Sequence, residues 1–246
     1  MRNVKSLIYR PFNLLYLVFL AFLLFTVAGY FLSFLRGLLI DAVGIPQEYF
    51  WAVTLLSLIG SAVNFPLFVL ESTHPITYVE EVDVFGAKRA VPQVESGGRQ
   101  TLVMINLGGA VIPAIISGYL LLVSIPSCSA NLWTSYLHAL IVLVLVTMST
   151  HQSAQIVEGL GITTPAWGPP TMTAFVVFLI NYFSPVSCAT QIAYIGGTLG
   201  ALIGADLMNL GKIAGVGPVV SIGGAGTFDG VFLTGLMSVL IVLLLA

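Results

Sequence analysis

The sequence predicts an all-α polytopic membrane protein with about seven transmembrane helices, some of them discontinuous, and a small cytoplasmic β-hairpin. Three observations predict it. Of 246 residues, 58% are hydrophobic and 7% are charged, whereas soluble domains carry roughly 25% charged residues. The apolar residues fall into runs long enough to cross a bilayer at about 20 residues each. The basic residues collect in alternate connections, as cytoplasmic loops do. Eight basic and ten acidic side chains cannot wet a globule of this size. That excludes a soluble enzyme, a nucleic-acid binder and a disordered tail, and makes the lipid bilayer the expected solvent and partner. The net charge of −2 says nothing about other partners.

The first run covers residues 12–35, with no charge between Arg10 and Arg36. It is too long for a signal-peptide core and no small-x-small site closes it, so it reads as an uncleaved span. The others are 50–70, 102–125, 133–150, 171–183, 189–210 and 219–246. With the N-terminus inside, this count leaves Arg2, Lys5, Arg10, Lys88, Arg89, Arg99 and Lys212 on the cytoplasmic side and Arg36 outside. The expected orientation is therefore N-terminus cytoplasmic, C-terminus outside.

The whole chain, 1–246, reads as a single transmembrane domain with one soluble insertion at 71–100. That insertion holds Glu80, Glu81, Asp83, Lys88, Arg89, Glu95 and Arg99. Thr77-Tyr78-Val79 and Val82-Asp83-Val84-Phe85 flank Gly86, the pattern of a β-hairpin, which reads as a solvated connector. Cys128 and Cys188 fall in two loops expected outside. Their compartment permits a disulfide, and two apolar thiols fit equally well.

Helix breakers interrupt the runs. Asn64-Phe65-Pro66 lies in the second. Asn106-Leu107-Gly108-Gly109 and Pro113 lie in the third. Residues 159–170, with Pro165-Ala166-Trp167 among them, are apolar but cannot form a regular helix. The last run opens on Gly215-Val216-Gly217-Pro218 and contains Gly223 to Gly230. Freed backbone groups cost several kcal/mol each in hydrocarbon, so such breaks survive inside protein or beside a wet cavity. Gly196, Gly200 and Gly204 recur every fourth residue, a flat strip for close helix packing.

Two acids lie inside spans: Asp206, and Asp229 within the last glycine cluster. A span carboxylate costs at least about 2.5–3.5 kcal/mol on insertion scales and marks a functional site by default. The two sit on consecutive, antiparallel spans, both toward the cytoplasmic third. Two such carboxyls that meet share a proton, so that one serves as general acid and the other as general base on a water attacking a peptide carbonyl. The leading reading is an intramembrane aspartyl protease that uses Asp206 and Asp229 as its dyad. A second makes the same acids part of an ion or proton pathway in a secondary transporter, with Asn64 and Asn106 as supporting polar groups. A third has them only holding helices together. Under the first reading the backbone around Gly224, Ala225 and Gly226 binds the reacting carbonyl. Pro165, Ala166, Trp167 and Asn209 then contact a membrane-protein or peptide substrate. His74, His138 and His151 lack metal-ligand spacing. No metal and no cofactor is expected, and the oligomeric state stays open.

The stretches Gly196-Gly197-Thr198-Leu199-Gly200, Ile203-Gly204-Ala205-Asp206-Leu207 and Ser221 to Gly235, which includes Gly223-Gly224-Ala225-Gly226-Thr227-Phe228-Asp229-Gly230, closely resemble a family of prokaryotic multi-spanning proteins. It is catalogued as domain of unknown function 1614. Asn64-Phe65-Pro66, Ile105 to Pro113 and Gly161 to Pro170 resemble it too, so the likeness runs from about Ala52 onward. A looser similarity is to the presenilin, signal-peptide-peptidase and prepilin-peptidase type of intramembrane aspartyl protease, which implies two catalytic aspartates on neighbouring spans. The motif departs from that pattern here. Phe228 stands where a second glycine precedes the aspartate, Asp206 follows Gly204-Ala205, and Pro165-Ala166-Trp167 precedes both acids.

Overall fold

The computed structural model describes residues 14–72, 100–157, 161–224 and 230–245, and the backbone of 76–84 and 87–95. Helix α1 spans Leu14–Arg36 and runs on through a wider π-helical turn, Gly37–Val43. Gly44, at φ +90, stops it in the left-handed region. Its N–H and that of Ile45 return to the carbonyls of Ile40 and Leu39, the usual closure of a glycine-terminated helix.

The second apolar run is not one helix. Helix α2 covers Phe50–Gly60, and strand β1 follows at Asn64–Glu71. The third run likewise divides into strand β4, Gln100–Asn106, and a continuous helix, Leu107–Cys128, whose regular parts are α3, Ile112–Tyr119, and α4, Ile125–Cys128. The last run begins as strand β7, Val219–Ile222, and is helical again only in α8, Gly230–Leu245. A continuous apolar run suits a buried strand as well as a helix, so periodicity does not separate the two. Pro66 disfavours helix at the residue before it. It is tolerated on β1 because that strand is an edge, and the pairing shifts register between Pro66 and Phe68.

The sheet order is β1-β4-β7. Strands β1 and β4 are antiparallel, with Asn64 opposite Asn106, whereas β4 and β7 are parallel. Strands β2, Ile76–Val84, and β3, Ala87–Glu95, form the expected hairpin. Its tip, Phe85-Gly86, lies outside the described residues. The expectation of an all-α protein is thus corrected to a mostly helical protein with a small sheet. Four described helices are long and apolar enough to cross a membrane: Leu14–Val43, Leu107–Cys128, Leu132–Ser153 and Ala189–Lys212. Large apolar side chains face outward, Phe25 at 81% and Trp133 at 86% exposure, which suits lipid rather than water.

Helices α5, Leu132–Ser153, α6, Gly168–Phe183, and α7, Ala189–Ala201, pack with α8 around a core that includes Val142, Val146, Tyr194 and Val239. Between α5 and α6 lies a short hairpin of β5, Gln155–Val157, and β6, Gly161–Thr163. The glycine strip forms the α5–α7 seam. A Cβ on Gly196 would come within 2.3 Å of Val142 Cγ1, one on Gly200 within 2.7 Å of Val146 Cγ1, and one on Gly204 within 2.4 Å of the Thr147 carbonyl oxygen. Cys128 and Cys188 are disulfide-bonded with Cα atoms 5.8 Å apart. The bond ties the end of α4 to the start of α7.

Candidate functional site

Helix α7 continues through a π-helical turn, Leu202–Asp206, and then a tighter 3-10 stretch, Leu207–Lys212, so Asp206 sits where the two meet. Such turns recur at functional positions because they re-aim a side chain out of the ordinary helical register. Its Oδ2 accepts a hydrogen bond of 2.8 Å from the backbone N–H of Gly223, just past β7. Gly223 has φ +81 and lies so close to Ala110 that a Cβ would come within 2.7 Å of the Ala110 nitrogen. Glycine is required there on both counts.

The residues around this corner form the second apolar cluster. Ala201 and Leu202 precede Asp206 by a turn, Ile222 precedes Gly223, and Val231 opens α8. All four share the cluster with Val103 and Val220. Asp229, Ala225 and Gly226 lie outside the described residues, as does Glu158. Gly224 is described at φ +94, with its N–H on the Ser221 carbonyl at 3.3 Å.

Asn64 and Asn106 meet. Asn106 Nδ2 donates to Asn64 Oδ1 at 3.0 Å and to the Ser61 carbonyl at 2.7 Å. Asn106 Oδ1 accepts from the Gly109 N–H at 2.8 Å and so caps the helix that starts at Leu107. Ser221 Oγ donates to the same Asn64 Oδ1 at 2.6 Å, so one side chain joins all three strands. At the other end of β7 the hydroxyl of Thr101, fully buried, donates to the Gly217 carbonyl at 2.8 Å and accepts from the Gly215 N–H at 2.9 Å.

Asn209 is engaged at its own helix end. Its Nδ2 donates to the carbonyls of Gly204 and Ala205 at 3.1 and 2.8 Å, and its Oδ1 accepts from Lys212 Nζ at 2.9 Å. These bonds occupy carbonyls that a helix terminus otherwise leaves open. Pro165, Ala166 and Trp167 line a groove of about 320 Å³, facing Leu233, Thr234 and Met237 of α8. Trp167 is 64% exposed at its rim. His138 is buried in α5, and its Nδ1, like that of His151, has no hydrogen-bond partner among the described residues. No group of three or more His, Cys, Asp or Glu able to hold a metal occurs among the described residues.

Sequence reasoning passed over Thr101 and did not separate Ser221 and Gly223 from their glycine-rich stretch. A serine amid Val219-Val220-Ser221-Ile222 was the available signal, because a lone hydroxyl in an apolar strand needs a partner.

The architecture defines a membrane-type helical protein in which a carboxylate on a helix meets the end of a small sheet. The chain belongs to the family described as a protein of unknown function (DUF1614), whose model matches residues 58–241. No curated protein and no solved structure matches it.

Proposed function

We propose that the protein is an intramembrane aspartyl protease in which Asp206 and Asp229 act as one acid–base pair on a membrane-protein or peptide substrate. One observation carries the reading. The described neighbours of both acids share a single apolar cluster: Ala201 and Leu202 before Asp206, and Val231, two residues after Asp229. The groove between Pro165-Ala166-Trp167 and α8 starts at Gly230, the residue after Asp229, and suits an apolar substrate segment. In this reading one carboxyl, protonated, polarises the scissile carbonyl. The other, ionised, takes a proton from the attacking water.

The orientation that goes with it has the N-terminus in the cytoplasm and the C-terminus outside. The Cys128–Cys188 disulfide supports it, because such bonds persist in oxidising compartments, and so does the basic content of 71–100.

Purified protein in lipid nanodiscs is expected to cleave a library of membrane-spanning peptides. Asp206→Asn and Asp229→Asn are each expected to lower the rate by about a hundredfold or more. Cleavage that persists in either variant rejects the two-acid mechanism. The Asn64–Asn106–Ser221 cluster and the π-helical turns favour a second reading, an ion or proton pathway. Flux through proteoliposomes that is lost in the same variants, without proteolysis, selects it.

A further inference from the structure

We propose that Ser221 and Asn64 are positioning residues for Asp206: they hold β7 where the Gly223 N–H meets the Asp206 carboxylate. The use of Asp206 as an acid rests on the function proposed above; the positioning itself does not.

Strand β7 has four residues and, among the described residues, pairs with one neighbour, β4. So short a parallel ladder supplies few hydrogen bonds, and parallel pairing is slightly the weaker kind per residue. Side chains make up the difference. The Thr101 hydroxyl grips the loop ahead of the strand at Gly215 and Gly217. The Ser221 hydroxyl ties the far end to Asn64. Gly223 is two residues beyond Ser221, and its close approach to Ala110 leaves little room for it to drift sideways. Slippage along the strand is the motion still open, and the Ser221–Asn64 bond opposes it.

Asn64 is itself fixed from behind by Asn106 Nδ2, whose Oδ1 caps the helix at Leu107 through Gly109. A continuous path of hydrogen bonds and short covalent steps therefore runs from the start of that helix to Asp206. A group held this way keeps its geometry through the side chains behind it, as supporting contacts around a metal ligand do.

The test uses full-length protein in nanodiscs. The chain has four aspartates, Asp41, Asp83, Asp206 and Asp229, so ¹³C-aspartate labelling gives a short carboxyl spectrum in which Asp206→Asn assigns the relevant signal. Hydrogen exchange at the Gly223 amide is read in parallel. Ser221→Ala and Asn64→Leu are each expected to speed that exchange by about tenfold or more and to move the Asp206 carboxyl signal at fixed pH. Ser221→Thr, which keeps the hydroxyl, is expected to restore both. The amides of Gly196 and Gly200 in the α5–α7 seam are expected to stay as they were. An unmoved Gly223 amide and Asp206 signal in Ser221→Ala overturn the proposal. So does uniform acceleration of all three glycine amides, which marks a general loss of stability. If Asn64→Leu does not fold, the Ser221 pair decides alone. None of these readouts needs proteolysis, so failure of the cleavage assay counts against the protease and leaves the positioning to be judged by the spectra.

Discussion

The α5–α7 seam and the Gly223 corner both depend on glycine, for different physical reasons. In the seam, Gly196, Gly200 and Gly204 have ordinary helical backbones within α7 and its π-helical extension. What counts there is the missing Cβ, which lets Val142, Val146 and the Thr147 carbonyl approach. At the corner the backbone conformation counts as well. Gly223 and Gly224 both have positive φ, and that bend delivers the Gly223 N–H to Asp206. A seam glycine brings helices together, whereas the corner glycine presents a donor. One is a matter of volume, the other of direction.

Substitutions that add a single methyl group separate the two. Gly223→Ala should be the most damaging, because it combines backbone strain of about 1–2 kcal/mol with overpacking of about 1–3 kcal/mol against the Ala110 backbone. Thermal unfolding in nanodiscs should show the largest drop of the series, and a Tm equal to that of the parent would mean the corner is looser than described. Gly204→Ala comes next, at about 1–3 kcal/mol, since the obstacle is a carbonyl oxygen of α5 that cannot rotate away. Gly196→Ala meets a side chain instead, so part of its cost should be relieved by Val142→Ala. A double-mutant cycle should give a coupling of about 1 kcal/mol, and additive effects would place the contact elsewhere. Gly118→Ala in α3 is the smallest case and opposite in sign. Nothing lies within 4 Å of that position, so the better helix former should add up to about 1 kcal/mol.

The same contrast explains what could be read from the sequence. The strip at Gly196, Gly200 and Gly204 declared itself through spacing, because a helical period leaves a regular mark. The breaks at Asn64-Phe65-Pro66, Asn106-Leu107-Gly108-Gly109 and Gly223-Gly224 were visible as interruptions of membrane helices. What lay beside them was not. Val219-Val220-Ser221-Ile222 and Leu102-Val103-Met104-Ile105 bury one face more deeply than the other, but apart from Ser221 they carry apolar side chains on both, so the sequence has no period-2 signature to set them apart from helix. The parallel pairing of β4 with β7 joins residues more than a hundred positions apart, and no local pattern reports such a contact. Asp206 could be picked out as a buried acid, but the Gly223 donor depends on that long-range pairing. Asp229 remains an inference from the sequence.

Helix α1 presents a different kind of attachment. None of its apolar window is buried against the described residues, and its core contacts begin at Leu35 and continue through Leu38, Leu39 and Val43. Its 23 residues make a rod of about 34 Å, slightly longer than a hydrocarbon layer of about 30 Å. Such a rod answers mismatch by leaning, and its lean follows the thickness of the bilayer. The pivot falls near Leu35, where the helix meets the bundle. A thinner or thicker host membrane therefore reorients α1 while the Asp206 corner, in a separate apolar cluster, keeps its shape.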